Sequence, residues 1–511
     1  MSFLNKFWLK RANSLANSSS SLYYTLLWLL AFIGIIFVLA FPFLALLTFG
    51  WLLGFIYLVN PMTWQTGDWI TVASLLACSA YTGWVSFNLF KLQPELRPGK
   101  PLEADAFPVL ADRIKELRVT YESPEFKDIK LTTNFRIELV RTPVNGFPAN
   151  FTNTLLIGLP VMTCMTPLQF KLLLARQIGH LSKKHRSISR QLVHIRNAWD
   201  SYSRIYAQAW KPEFILLRLF FSWYAPFFHA NCIPAVRLEA FAKDRLMLEI
   251  TPTERAAEAI TIFEIKKRYL KIDFWRKLND AAYISAKPPY LPYSTMPTIM
   301  YKILDSDPDY TQRCYEAAIN REVIDSSEMP NLMKRLAALG QEDFIIPRPS
   351  NDTAAKHFFG DQLSELLKQM DNIWYLKNKD IWSKRYKQGI DEKRRLKLLR
   401  EQAAQALLSN AEAREYLLLI EKYVDAKKAL PLFKEILKTN SMDADVCYDL
   451  GRLLLEADDE SGIDALKIAM DIDPSKTPDS CQHLVNYMAS HGNTHDAQQY
   501  RRMILEYQAN H

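Results

Sequence analysis

A chain of 511 residues with a formal net charge of +8 has room for two or three domains, each with its own core. A hydrophobic fraction of 49% excludes intrinsic disorder, and the modest charge argues weakly for an anionic membrane surface and hardly at all for nucleic acid. Cys78, Cys164, Cys232, Cys314, Cys447 and Cys481 show no C-x-x-C spacing and read as reduced core thiols facing a cytosol-like compartment.

The first twenty residues are polar and basic, with Lys6, Lys10 and Arg11 ahead of an uncharged apolar block from about Leu22 to Val59. The block is too long for a signal peptide and reads as a retained anchor. As one helix at about 1.5 Å per residue it would span about twice the ~30 Å hydrocarbon core. A broken helix or a tight hairpin is therefore expected, with Pro42 as the natural break and Gly50 as a second candidate. A further apolar stretch, about Trp69 to Phe90, follows a short loop carrying Asp68. Lys91, Arg97 and Lys100 follow it, so the positive-inside rule puts both flanks in the cytoplasm and favours an even number of crossings. A hairpin at Pro42 would instead make three crossings and put the large domain outside.

From Lys100 the composition becomes that of a soluble α+β domain. A helix is expected over about Ala106 to Tyr121, strand character over Ile129 to Val140, and a second apolar strand over Thr154 to Val161. The next element is the apolar run Leu172-Leu173-Leu174-Ala175-Arg176-Gln177-Ile178-Gly179-His180. In an H-E-x-x-H helix two imidazoles one turn apart bind Zn²⁺, and the glutamate beside the first activates a metal-bound water. Here only the second histidine, His180, is present. Arg176 stands at the first ligand position and Gln177 at the general-base position. A guanidinium cannot bind a metal, and an amide cannot accept a proton at neutral pH.

Around this run lie an Asn145-Gly146-Phe147 turn, a strand ending in Ile157-Gly158-Leu159-Pro160, and a downstream segment Arg237-Leu238-Glu239-Ala240-Phe241-Ala242-Lys243-Asp244. From about Asn145 to Leu246 the chain resembles the HtpX-like membrane zinc metallopeptidases, metallopeptidase family forty-eight. The resemblance implies a zincin-like domain whose third zinc ligand is the glutamate of a downstream R-x-x-E-x-x-A-D helix. Anchoring on Asp244 places Ala240 at that position. Glu239 lies one residue away, about 100° around a helix, and is not expected to substitute. Of three ligands and one base the chain then keeps one ligand, so neither catalysis nor a cofactor is expected. Zinc, with His180 as a ligand, enters only if His185, His194 or His229 rebuilds a site. In place of the metal, a buried Arg176 would need a carboxylate, Asp244 or Glu239, and that pair would staple the two helices. His491 and His495 have helical spacing, but Gly492 and Asn493 between them mark a solvated turn.

The aromatic stretch within Pro212 to Cys232 suits either a helix on the membrane surface or plain core. Residues from Glu249 to about Gly340 read as helices, broken by a rigid Lys287-Pro288-Pro289-Tyr290-Leu291-Pro292 connection. Pro347 and Pro349 mark a domain boundary, and the basic run Lys393 to Lys397 is a solvated helix face. From about Asn410 the sequence repeats: Ala429, Ala465 and Ala497 recur at spacings of 36 and 32, bracketing the tetratricopeptide period of about 34. Tyr448 and Gly451 sit at first-helix positions of such a repeat, and Ala465 in the second helix.

The expected fold class is α+β, mainly α, in four segments. These are a transmembrane anchor (1–95), a zincin-like domain (96–345), connecting helices (346–409) and an α-solenoid of tetratricopeptide-like helix pairs (410–511). This layout is similar to a bacterial branch of the same peptidase family. It implies an inactive pseudoprotease of membrane-protein quality control, in a bacterial inner membrane with its soluble domains in the cytoplasm. The expected partners are the lipid bilayer, clients held by strand addition along Leu155, Leu156, Ile157 and Gly158, and a protein or peptide bound by the repeats, with no nucleic acid. The rival reading is an active zinc-dependent membrane metalloendopeptidase with an unorthodox ligand set. A third is a membrane protein whose sole function is the repeats.

Overall fold

The computed structural model describes residues 3–59, 64–91, 99–103, 105–143, 151–182, 188–208, 214–319, 329–341, 352–405, 408–424, 429, 431–434, 436, 443–491 and 493–510. The Asn145 to Asn150 turn and His185 lie outside them. The described residues are mostly helical, 82% against 4% strand, so the strands form a small element among helices. The chain divides into two compact units: Met1–Arg276 with Tyr290–Trp374, and Lys277–Pro289 with Tyr375–His511. The segments expected as anchor and zincin-like domain thus fall in one unit, except for Lys277–Pro289, which belongs to the other.

Helices α1 (Phe3–Ser18), α2 (Ser20–Leu58) and α3 (Thr66–Lys91) open the chain. The expected break at Pro42 or Gly50 does not occur, because α2 runs through both without interruption. Pro42 removes a single backbone donor, and the turns on either side keep their own hydrogen bonds. Both α2 and α3 are long and apolar enough to cross a membrane. Along α2 the buried residues Tyr23, Leu27, Ala31, Gly34, Val38 and Phe41 recur at three- and four-residue intervals, a single helical face. Beyond them α2 packs with α3 and turns Phe43, Leu46, Trp51, Tyr57 and Leu58 outward.

The sheet combines β1 (Lys100–Pro101), β2 (Asp128–Thr132), β3 (Ile137–Pro143) and β4 (Phe151–Gly158), with α4 (Pro108–Thr120) between β1 and β2. Its order is β1-β2-β4-β3, with β4 parallel to β2 and antiparallel to β3. This corrects the expected client-binding edge. Leu155, Leu156, Ile157 and Gly158 pair with β2 on one side and β3 on the other, so the segment is interior. A continuous Leu-Leu-Ile run, buried on both faces, belongs in the middle of a sheet. The outer strand beyond β4 is β3. At the end of β4, a Cβ on Gly158 would lie 2.0 Å from the Asn134 carbonyl oxygen, so only glycine passes beneath the preceding turn.

After α5 (Leu159–Cys164) comes α6 (Pro167–Ile178), started by a Thr166–Gln169 capping box with Pro167 in its first turn. Its buried Phe170, Leu173, Leu174 and Ile178 share a core with Leu155 and Ile157 of β4 and with Leu110, Ile114 and Leu117 of α4. A short turn, Gly179–Leu181, then carries His180. Two long helices follow, α7 (Ile188–Gln208) and α8 (Ile215–Arg245). Trp199, Tyr202 and Tyr206 of α7 and Phe221, Tyr224 and Phe228 of α8 form an aromatic core with α2. The opposite side of α8 exposes Ile215, Leu216, Leu219 and Trp223. At Gly34 a Cβ would lie 2.8 Å from the Tyr224 ring and 3.0 Å from that of Trp199, so both aromatics enter a notch in α2. The Tyr224 hydroxyl donates to the Leu30 carbonyl in the same notch.

The first unit is completed by α9 (Thr253–Tyr269), α11 (Pro292–Ser306), α12 (Pro308–Ile319), α13 (Leu332–Leu339) and α14 (Ala354–Phe359), with α10 (Trp275–Ala281) at its boundary. Helix α15 (Leu363–Ala403) contributes to both units. The second unit adds α16 (Asn410–Tyr423), α17 (Ala444–Glu456), α18 (Ser461–Ile472), α19 (Thr477–Ser490) and α20 (Thr494–Asn510). Here α17 packs chiefly on α18 and α19 chiefly on α20, with further contacts of α16 and α19 on α17. Gly451 and Gly462 set the closeness of α17 and α18, since a Cβ on Gly462 would lie 2.6 Å from the Gly451 carbonyl oxygen. Ala465 is fully buried beside that contact, and Tyr448 packs edge-on to His483. His491 and His495 flank the turn before α20, where His491 Nε2 lies 3.0 Å from Asp458.

A backbone oxygen cannot move aside for a side chain. Gly462→Val is therefore expected to destabilise the second unit by about 1–3 kcal/mol, the range for overpacking, read as a lower urea midpoint in helical circular dichroism.

Candidate functional site

The residues singled out on α6 and α8 meet in two buried ionic clusters. In the first, Arg176 Nε donates to Asp244 Oδ1 at 2.6 Å. Arg335 of α13 donates to both oxygens of the same carboxylate, at 2.7 and 3.0 Å, and to Glu264 of α9 at 3.0 Å. The Asp244 side chain is 1% exposed and that of Arg335 3%, so this pairing is dry. Burial works to raise the Asp244 carboxyl, but Arg335 and Arg176 outweigh it and hold the group below its ordinary value. Four helices, α6, α8, α9 and α13, are tied together at one carboxylate and its neighbours.

In the second cluster, His180 Nδ1 lies 2.8 Å from Glu239 Oε1, Ser189 Oγ donates to Glu239 Oε2 at 2.7 Å, and Arg190 Nε stands 3.6 Å from Oε1. Glu239 therefore reaches the His180 ring, a contact different from the zinc-ligand role that its one-residue offset argues against. Burial and then Lys243 drive the His180 imidazole far below its ordinary range, while His180, Ser189 and Arg190 keep Glu239 ionised against its own burial. The pair is thus a neutral imidazole beside a carboxylate. Ala240 is buried next to Glu239.

A cavity of about 370 Å³ opens beside these clusters. Glu138 to Arg141 of β3 form one wall, Gln177 and His180 another, and His194, Arg196, Asp200 and Arg204 of α7 a third, with His229 and Lys243 from α8. His229 Nδ1 lies 3.0 Å from Asp200 Oδ2. The rings of His180 and His194 are 5.6 Å apart, and His194 Nε2 is buried with no hydrogen-bond partner among the described residues. Burial, then Arg176, pushes the Lys243 ammonium down to about 8. Burial, then Arg141, pushes His194 well below its ordinary range.

For a zinc ion at His180, the nearby carboxylate oxygens are already held by Ser189 and approached by Arg190, and Lys243 stands in the same space. Among the described residues, no three His, Cys, Asp or Glu side chains group at a spacing suited to a metal. Sequence reasoning missed Arg335, Glu264, Ser189, Arg190 and Lys243. Arg335 carried a signal: on α13 it shares one buried stripe with Leu332, Leu336 and Leu339, where a charge requires a partner. Ser189 and Arg190 belong to a polar helix start and carried none.

Asp244→Asn removes the carboxylate from Arg176 and leaves Arg335 with Glu264 alone, and is expected to cost about 3–5 kcal/mol. Arg176→Met leaves Arg335 in place and is expected to cost clearly less; chemical unfolding followed by tryptophan fluorescence ranks the two. His194 is neutral in the folded protein, whereas the unfolded chain takes up a proton near pH 6.5. Its stabilisation is therefore full above that pH and is lost on acidification, by about 2 kcal/mol between pH 7 and pH 5. His194→Gln is expected to flatten that part of the stability profile.

Comparison with protein-family models, curated proteins and solved structures yields no match for this chain.

Proposed function

We propose that this chain is a membrane-anchored, metallopeptidase-like scaffold that acts by binding and not by cleavage. The observation that carries the reading is Asp244 held between Arg176 and Arg335. On this reading, charge pairing joins the helices that a zinc ion joins in an active zincin-type enzyme. The strand–helix order from β4 to α8, with His180 as the surviving ligand position, supports a zincin-like origin of the first unit. The paired helices from α16 onward, with Gly451 and Gly462 at a close crossing, support tetratricopeptide-like repeats that present a surface to a peptide or partner protein.

In this scheme α2 and α3 enter the bilayer, and the exposed Ile215, Leu216, Leu219 and Trp223 of α8 rest at the lipid surface. The basic flanks of the anchor put the soluble parts on the cytoplasmic side of a bacterial inner membrane. A client segment is held along β3, the outer strand facing the cavity, in place of the interior Leu155–Gly158 segment.

A second reading, an active zinc peptidase with an unorthodox site, is favoured by one observation: His194 Nε2, near the His180 ring, lacks a hydrogen-bond partner among the described residues. Metal analysis separates the two. Protein purified without chelator is expected to hold far less than one zinc per chain and to leave casein intact with or without added zinc. Stoichiometric zinc together with chelator-sensitive cleavage that His180→Ala abolishes would establish the peptidase instead.

A further inference from the structure

We propose that the cavity between β3, α7 and α8 is an oxyanion site for a carboxylate or phosphate group, with Lys243 holding the ligand's charge. The lining carries four cationic side chains, Arg141, Arg196, Arg204 and Lys243, against two carboxylates, Glu138 and Asp200. Both carboxylates are engaged within the protein. Glu138 lies 3.1 Å from Arg136, and Asp200 lies 3.0 Å from His229 and 4.0 Å from Arg196. Neither neutralises Lys243.

Lys243 has no hydrogen bond or ion pair among the described residues. The acidic groups nearest along its helix are committed: Glu239 to His180 and Ser189, Asp244 to Arg176 and Arg335. An ammonium in a lined cavity without a direct counter-ion carries a desolvation cost that Glu239 and Asp244, each turned to other partners, offset only in part. A ligand oxyanion supplies the missing charge, through the charge-assisted hydrogen bonds an ammonium makes best. His194, whose Nε2 has no hydrogen-bond partner among the described residues, and the neutral Asn197 and Ser201 line the same space and offer further polar contacts.

The volume, about 370 Å³, accommodates on the order of 12 waters at about 30 Å³ each. That is room for a small acid, a phosphate ester or the charged end of a longer molecule. The inference stands apart from the question of cleavage, and zinc content measured on the same sample reports on that question separately.

The test uses the full chain in detergent, with thermal unfolding followed at constant ionic strength in sodium phosphate, sodium succinate or sodium chloride. Phosphate or succinate is expected to raise the unfolding midpoint saturably while chloride does not, and the stronger of the two identifies the preferred oxyanion. Lys243→Met, similar in shape and uncharged, is expected to bind that anion about tenfold to a hundredfold more weakly by calorimetry. It should also raise the midpoint without ligand, since an uncompensated charge is gone; Lys243→Arg should keep the anion response. The proposal is overturned if neither anion shifts the native protein, if Lys243→Met responds like the native chain, or if Lys243→Met is less stable without ligand or does not fold. The last two outcomes would mean that Lys243 is satisfied by the protein itself.

Discussion

The first unit is organised around one carboxylate with almost no access to water. Asp244 accepts from Arg176 on one helix and Arg335 on another, and Arg335 continues to Glu264 on a third. Such a group adds little net stability, because its ions lose their hydration on burial. It is strict about geometry, however. Any slip of α6 or α13 against α8 leaves a charge buried and unpaired, so the low-energy arrangements of these helices shrink to one. The second cluster, around Glu239, places His180 and α7 under the same kind of constraint. The cavity inherits its shape from both.

Much of this arrangement was legible in the sequence, and the failures have physical causes. The apolar run of α6 was legible because helical spacing is local, whereas its start at the Thr166–Gln169 capping box was not read. Asp244 was readable as a partner for Arg176 because a buried guanidinium requires a carboxylate. Leu155 to Ile157 was misread as an edge because strand neighbours are set by chain segments far away, which the run itself does not encode. The uninterrupted passage of α2 through Pro42 was hidden because a proline costs a helix only one hydrogen bond when tertiary packing holds the rest.

The aromatic layer between α2, α7 and α8 joins the apolar helices to the polar cavity. Helix α7 carries Trp199 on its way from His194, and α8 carries Tyr224 ahead of His229. The same two helices therefore turn an apolar face to α2 and a polar face to the cavity, with the two sets of residues interleaved along their lengths.

The notch at Gly34 has a further consequence. With Trp199 and Tyr224 seated where a side chain would otherwise be, α2 is unable to slide along α7 and α8, because its next residues in either direction carry bulk that these rings would strike. The helix extends 24 residues from Gly34 to Leu58, about 36 Å at 1.5 Å per residue, close to the thickness of a hydrocarbon layer. The glycine thus fixes the register of α2 on α7 and α8, and with it the length of apolar helix that projects beyond them.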